Sequence, residues 1–205
     1  EDVKRRGKPL YRNISASLWD IGDSVLCLEF HSKMNSLNPF TMRAIDKAID
    51  LAEDGAKGLV LYNEGTNFSV GANVALLLYP AKLGLHFLTG FLVRRGQQVF
   101  GRLKYASVPV VGAPSGMALG GGCEILLHCN AIQAHAESYV GLVEAGVGIV
   151  PGWGGCKEMI TRWAVTNKRR GGPFPPVQKV FELIGLAHVA KSAAEARAAL
   201  FFPPD

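Results

Sequence analysis

Two glutamates stand in surroundings that a carboxylate does not ordinarily occupy. Glu124 closes the run Ala118-Leu-Gly-Gly-Gly-Cys-Glu124 and is followed by Ile125, Leu126 and Leu127. Glu144 is the one charge in Val140-Gly-Leu-Val-Glu-Ala-Gly-Val-Gly148. An apolar setting penalises the ionised form and raises a carboxyl pKa. Two such groups can divide acid–base work, one giving and one taking a proton. Each also has an ordinary explanation. A carboxylate in the first turn of a helix is favoured by the helix dipole, and Glu144 could be a solvated loop residue. Spacing alone does not bring the two face to face.

The glycines before Glu124 add a second kind of chemistry. Gly120, Gly121 and Gly122 at the mouth of a helix present N–H groups with no Cβ in the way, which suits a phosphate or a developing oxyanion. The phosphate-loop patterns do not fit. Gly146-Val-Gly148 has the wrong continuation for G-x-G-x-x-G, and no lysine completes a Walker loop. A turn needed only for tight helix–strand packing is the simpler alternative. A second loop, Phe68-Ser-Val-Gly-Ala-Asn73, could supply another N–H to the same oxygen, the geometry of an oxyanion hole.

The elements that must hold these loops follow from periodicity and punctuation. Leu18 to Asp20 and Val25 to Phe30 predict strands around Gly22-Asp23. Asn38-Pro39 opens a helix carrying Met42, Ile45, Ile49 and Ala52 on one face, stopped at Gly55. Lys57 to Tyr62 is a short apolar strand of the kind buried in an α/β sheet. Asn63 to Asn73 reads as a loop. A long helical stretch to about Tyr105, broken by Pro80 and glycines, comes next. Val108 to Ala113 and Ala131 to Ala136 read as strands, Ser115 to Gly122 as a turn feeding a helix through Cys129, and Trp153 to Trp163 as a helix. Asn167 to Pro176 reads as an exposed loop. Helices over Val177 to Leu186 and Ala193 to Leu200 close the series, the last capped by Ser192 with Glu195 three residues on. This alternation is an α/β pattern.

Composition narrows the function classes. The 205 residues suffice for one domain with a proper core. Hydrophobic residues at 48% exclude intrinsic disorder. Charged residues at 19% fall below the usual ~25%, which points to a surface covered by another subunit or domain. The 22 Lys and Arg against 17 Asp and Glu leave +5, too mild for a nucleic-acid footprint without aromatic interleaving. Cys27, Cys123, Cys129 and Cys156 form no C-x-x-C pair, and the five histidines show no ligand spacing. No metal site is expected, and the cysteines read as buried thiols in a reducing compartment. No apolar run reaches the ~20 residues of a membrane helix, and no signal peptide is visible. A cytoplasmic protein is the expectation.

The same residues carry a resemblance. From about Trp19 to its end the chain is similar to the crotonase, or enoyl-CoA hydratase/isomerase, superfamily. It is strongest in Phe68 to Asn73, in Pro109 to Glu124, and in Val140 to Glu144 continuing through Gly148-Ile-Val-Pro-Gly-Trp-Gly-Gly155. Leu18-Trp-Asp-Ile-Gly-Asp23 and Lys168-Arg-Arg-Gly-Gly-Pro-Phe-Pro-Pro176 further resemble the hydratase-type portion fused to a 3-hydroxyacyl-CoA dehydrogenase in bacterial fatty-acid oxidation proteins. The resemblance implies an α/β fold, a crotonase-like spiral of ββα units over residues 17–205, with 1–16 as a linker or arm. It assigns the thioester oxygen to the N–H groups of Ala72 and Gly121, and acid–base catalysis to Glu124 and Glu144. Substrate contacts fall on Lys33, Met34, Asn35, Phe68, Ser69, Val70, Gly71, Gly120, Gly122, Pro151 and Gly152. The implied reaction is hydration of a trans-2-enoyl-CoA, with Glu124 activating water and Glu144 protonating the α carbon. Acyl-CoA is then substrate, no cofactor is needed in this domain, and NAD belongs to the fused dehydrogenase portion. A homotrimer that binds neither nucleic acid nor membrane is implied.

Three departures from the family pattern stand out. Asn73 replaces a common Asp, Leu142-Val143 replaces the usual Gln-Pro, and the sequence stops where family members continue with further helices. Two other readings compete with hydration: 3,2-enoyl-CoA isomerisation on the same scaffold, and a non-catalytic acyl-CoA-binding module.

Overall fold

The computed structural model of the chain describes residues 7–166 and 174–203. Its larger sheet has the order β1-β2-β3-β4-β6-β8: β1 (Tyr11–Arg12), β2 (Ala16–Asp20), β3 (Val25–Phe30), β4 (Gly58–Tyr62), β6 (Val110–Ala113) and β8 (Ala131–Ile132). The first pairings are antiparallel, β2 with β3 through the Gly22–Ser24 turn, and those from β3 onward are parallel. Every parallel step requires a crossover, and helices supply most of them. The second sheet, β5 (Asn67–Ser69), β7 (Gly116–Leu119) and β9 (Ser138–Gly141), is all parallel.

Helix α1 (Pro39–Glu53) begins as its sequence predicts. Asn38 Oδ1 accepts from the N–H groups of Phe40 and Thr41, and Thr41 Oγ1 accepts from Asn38 N–H at 2.7 Å, a reciprocal cap. Its apolar face, including Ile45, Ala48 and Ile49, is buried against β2, β3 and the later helix α3. α2 (Ala75–Lys82) and α3 (His86–Lys104) follow. They part at Gly84, at φ +72°, rather than at Pro80, which sits inside α2. α4 (Gly121–Leu127), α5 (Gly155–Thr166), α6 (Phe174–Gly185) and α7 (Ala193–Ala198) complete the described elements.

Four expectations need correction. The loop from Asn63 to Asn73 contains β5, and the Ser115–Gly122 turn contains β7. These strands, three and four residues long, are too short to show alternation, and each becomes a strand by pairing with the other. β9 has no counterpart in the sequence reading for the same reason. Residues Tyr11–Arg12, read as part of an arm, pair with Ser17 and Leu18 at the sheet edge. Phe174, Pro175 and Pro176, read as loop, open α6, because proline fits a helix's first turn, whose N–H groups lack intrahelical partners anyway. Much of the expected exposed loop, 167–173, and residues 1–6 of the arm lie outside the described residues.

Asn63 ties the two sheets together. Its side-chain oxygen accepts from Phe30 N–H at 2.6 Å, and its amide donates to Phe68 O at 2.5 Å. None of the four cysteines is in a disulfide; Cys123 and Cys129 are buried, and burial pushes the Cys129 thiol up to about 12. No helix among the described residues is long and apolar enough to cross a membrane.

Candidate active site

The loop after β5 and the turn between β7 and α4 meet main chain to main chain. A Cβ built on Gly71 would lie 2.8 Å from Leu119 O and 2.9 Å from Gly121 N, so no side chain fits between them. Leu37 fastens the first loop from its other side: Leu37 N–H donates to Gly71 O at 2.8 Å, and Asn73 N–H donates to Leu37 O at 3.0 Å. Those bonds leave Ala72 N–H without an acceptor among the described residues. Gly121 N–H, at the first position of α4, likewise has none. Two open donors thus stand on adjoining loops.

Ser69 fixes the first loop from within. Its hydroxyl donates to Asn35 O at 2.7 Å and accepts from Gly71 N–H at 3.2 Å. Asn35 in turn donates to Asn67 O at 2.8 Å. Ser69 and Phe68 are wholly buried, so their side chains shape the loop and present nothing to a ligand. Lys33 and Met34 are exposed beside it, Val70 is half-buried, and Asn35 is buried. Gly122 carries the second loop against Ser69, where a Cβ would meet Ser69 O at 2.4 Å.

The two glutamates come together although twenty residues separate them in sequence. Glu124, 2% exposed, accepts through Oε1 from Trp153 N–H and Gly155 N–H, both at 2.8 Å. Glu144 begins a short 3-10 turn after β9 and rests against Gly120, where a Cβ would lie 3.2 Å from its Oε1. It is 9% exposed, and its Oε2 is buried with no hydrogen-bond partner among the described residues. Burial, reinforced by the charge of Glu144, pushes Glu124 up to about 7 against the pull of the two amides. Burial also raises Glu144. A pair so coupled titrates as a unit. Backbone amides pull both carboxyls toward the negative form, those of Trp153 and Gly155 at Glu124 and those of Val143 and Glu144 at Glu144.

Trp153, Gly155 and Leu37 are the functional positions that residue typing missed. The Trp153 ring lies between two helices: a Cβ on Gly121 would stand 2.7 Å from it, and one on Gly96 of α3 only 2.2 Å. Its ring also meets Phe100 edge-on at 5.4 Å. The run Gly152-Trp-Gly-Gly155 is the visible signal, since a bulky ring among glycines marks close main-chain contacts. Pro151 is buried and Gly152 half-buried in that turn, with Gly152 O accepting from Gln97 at 2.8 Å. The departures from the family pattern also find places. Leu142 packs on Gly155, whose Cβ would meet Leu142 Cδ2 at 2.9 Å, and Asn73 Oδ1 accepts from Ala75 N–H at the start of α2.

A cavity of about 410 Å³ adjoins the loops, bounded by Leu37, Ala72 and Trp153 and continued by Phe40, Leu76, Phe91 and Leu92, with Arg43 and Arg95 also on its wall. Neither carboxyl lines it, in keeping with their burial. Two open amides beside a buried pair of carboxyls can hold a developing oxyanion and move protons next to it.

That chemistry, on stacked parallel ββα units, describes one class of acid–base catalyst scaffold. The comparison with known sequences is specific: the family model described as enoyl-CoA hydratase/isomerase matches residues 20–167, and the chain belongs to that family. A probable 3-hydroxyacyl-CoA dehydrogenase of Bacillus subtilis (strain 168) is 45% identical over 187 residues, 91% of this chain and 23% of that protein. A putative fatty acid oxidation complex trifunctional enzyme of Rickettsia felis is 39% identical over 163 residues, 79% of this chain and 22% of that protein. The chain thus spans under a quarter of these relatives. Among solved structures, an enoyl-CoA hydratase from Bacillus anthracis superposes with TM-score 0.75 at 21% identity, over 92% of this chain and 68% of that one. One from Geobacillus kaustophilus HTA426 gives 0.78 at 16% identity, over 94% and 68%. The fold is the α/β crotonase fold that the sequence resemblance implies.

Proposed function

We propose that this chain is an enoyl-CoA hydratase unit of fatty-acid β-oxidation, working within a longer polypeptide that also carries 3-hydroxyacyl-CoA dehydrogenase activity. The observation that carries the reading is the convergence of two acceptor-free amides, Ala72 and Gly121, with the coupled carboxyls of Glu124 and Glu144. In this reading the thioester oxygen accepts from the two amides, which stabilise the enolate that forms as water adds. Glu124, ionised, takes a proton from water as the water oxygen bonds to the β carbon. Glu144, protonated, delivers a proton to the α carbon. One water is consumed: its oxygen and one hydrogen become the hydroxyl, its other proton rests on Glu124, and transfer of that proton to Glu144 restores both carboxyls before the next turnover.

The names and lengths of the relatives support the remaining assignments. The dehydrogenase portion, with its NAD, lies in sequence beyond this unit, which needs no cofactor of its own. The hydratase domain takes in residues 17–205 together with β1, which pairs onto its sheet. The main chain of 68–71 and 120–122, with Lys33, Met34, Asn35, Pro151 and Gly152, contacts the acyl-CoA. Exposed apolar side chains at Tyr79, Leu83, Phe87 and Phe91 favour association, in line with a trimer in the cytoplasm.

Loss of the ultraviolet absorbance of crotonyl-CoA tests the reaction. Hydration by the wild type is expected, with Glu124→Gln and Glu144→Gln each reducing kcat about 10²–10⁴-fold. Double-bond migration without hydration would make the unit an isomerase. Turnover untouched by both substitutions would make it a binding module.

A further inference from the structure

His128 lies one helical turn beyond Glu124 and is 2% exposed. α4 tightens at its end, so that His128 N–H donates to Ile125 O rather than to Glu124 O. The Glu124 carbonyl pairs instead with the His128 ring, Nδ1 standing 2.7 Å from it. A carbonyl only accepts, so Nδ1 bears the hydrogen. The opposite edge of the ring presses on Gly154, where a Cβ would fall 2.9 Å from both Cε1 and Nε2. Gly154 sits between Trp153 and Gly155, the two residues whose N–H groups grip the Glu124 carboxyl. Behind the ring, Glu158 donates its N–H to Gly154 O at 2.9 Å, while its carboxylate is held by Lys104 at 2.6 Å and Lys157 at 2.8 Å.

We propose that His128 is a positioning residue for Glu124, bracing both ends of the clamp at once: the main chain of Glu124 through Nδ1–H, and the amide-bearing turn through its ring edge on Gly154. The role rests on the acid–base reading of Glu124 but has a readout of its own. Burial lowers the His128 pKa, the Glu124 carbonyl and Glu158 opposing and Lys157 and Lys104 assisting. The ring is therefore neutral at physiological pH, with Nε2 bare and 3.7 Å from Glu158 Oε1. Phe100, 5.6 Å away between ring centres, packs against His128 and Trp153 together and keeps the ring in place.

The test compares two substitutions in the full chain. His128→Phe keeps a ring against Gly154 but removes the donor, and His128→Asn puts an amide N–H at the Nδ1 place. With crotonyl-CoA, the Phe variant is expected to lose kcat about tenfold or more with KM within about twofold, and the Asn variant to recover most of it. Carbon-13 labelling of glutamate side chains reads Glu124 directly, assigned by loss of its signal in Glu124→Gln. Its midpoint is expected to rise by about one pH unit in the Phe variant as the amide bonds loosen. If Phe at 128 prevents folding, His128→Gln, whose amide falls at the Nε2 place, takes its part with the same expectation. A folded donor-free variant with kcat and Glu124 midpoint unchanged overturns the proposal, as does equal loss in the Asn variant. If the wild type does not hydrate crotonyl-CoA, the functional reading falls, and the Glu124 midpoint still decides the role of His128.

Discussion

Gly71 and Gly121, fifty residues apart in sequence, touch through their main chains, and a methyl group on Gly71 would stand 2.9 Å from the Gly121 nitrogen. The contact brings Ala72 N–H and Gly121 N–H onto neighbouring loops. Gly71→Ala therefore wedges the two donors apart, at a residue whose φ of +89° also resists a side chain. Hydration of crotonyl-CoA is expected to fall at least about 10²-fold, as when one oxyanion donor is lost. Steady-state kinetics, with circular dichroism to confirm the fold, check this.

The carboxyl pair sets a pH dependence whose sign follows from burial. Unfolded, Glu124 ionises near its ordinary 4.5; folded, it keeps its proton to about 7. Stability contributed by this protonated state is complete below pH 4.5 and is lost as pH rises through about 7. The rise from 4.5 to about 7 sets a ceiling of about 3.5 kcal/mol. Tm is expected to fall across that window in the wild type and less steeply in Glu124→Gln, whose side chain is neutral throughout. Thermal melts of both proteins over the window give the comparison.

The same ionisation governs turnover. Hydration needs one carboxyl charged and the other protonated, so the pair works only while it holds a single proton, and kcat is expected to fall as pH rises through about 7, where the last proton leaves. A pH–rate profile flat through neutrality would contradict the pairing.

Asn63 makes a prediction about the scaffold. Asn63→Ala strands the Phe30 N–H and the Phe68 carbonyl, both buried. At about 1–3 kcal/mol for each orphaned group, a loss of roughly 2–6 kcal/mol is expected. Urea titration measures it.

Gly96→Ala probes the seat of Trp153. The added carbon would overlap the indole, 2.2 Å from its Nε1, and overpacking of this kind costs about 1–3 kcal/mol. Displacing Trp153 also moves the N–H that holds Glu124, so kcat is expected to drop with stability. An unchanged kcat in a destabilised variant would show that the ring and the amide move independently.

Much of this protein was determined by local rules that the sequence states openly. Asn38-Pro39 starts α1 where a cap and a first-turn proline must, and the apolar run from Gly58 to Tyr62 is the central strand. Glu124 and Glu144 announce themselves as carboxyls among glycines and aliphatics. What tertiary structure decided are the relationships across long separations. β5, β7 and β9 are strands only because each supplies the next with partners. Trp153 and Gly155 became ligands of Glu124 because α5 begins beside α4, and His128 became a brace because α4 tightens one residue early. Amide direction and side-chain contact depend on how distant segments pack, and periodicity carries no record of that packing.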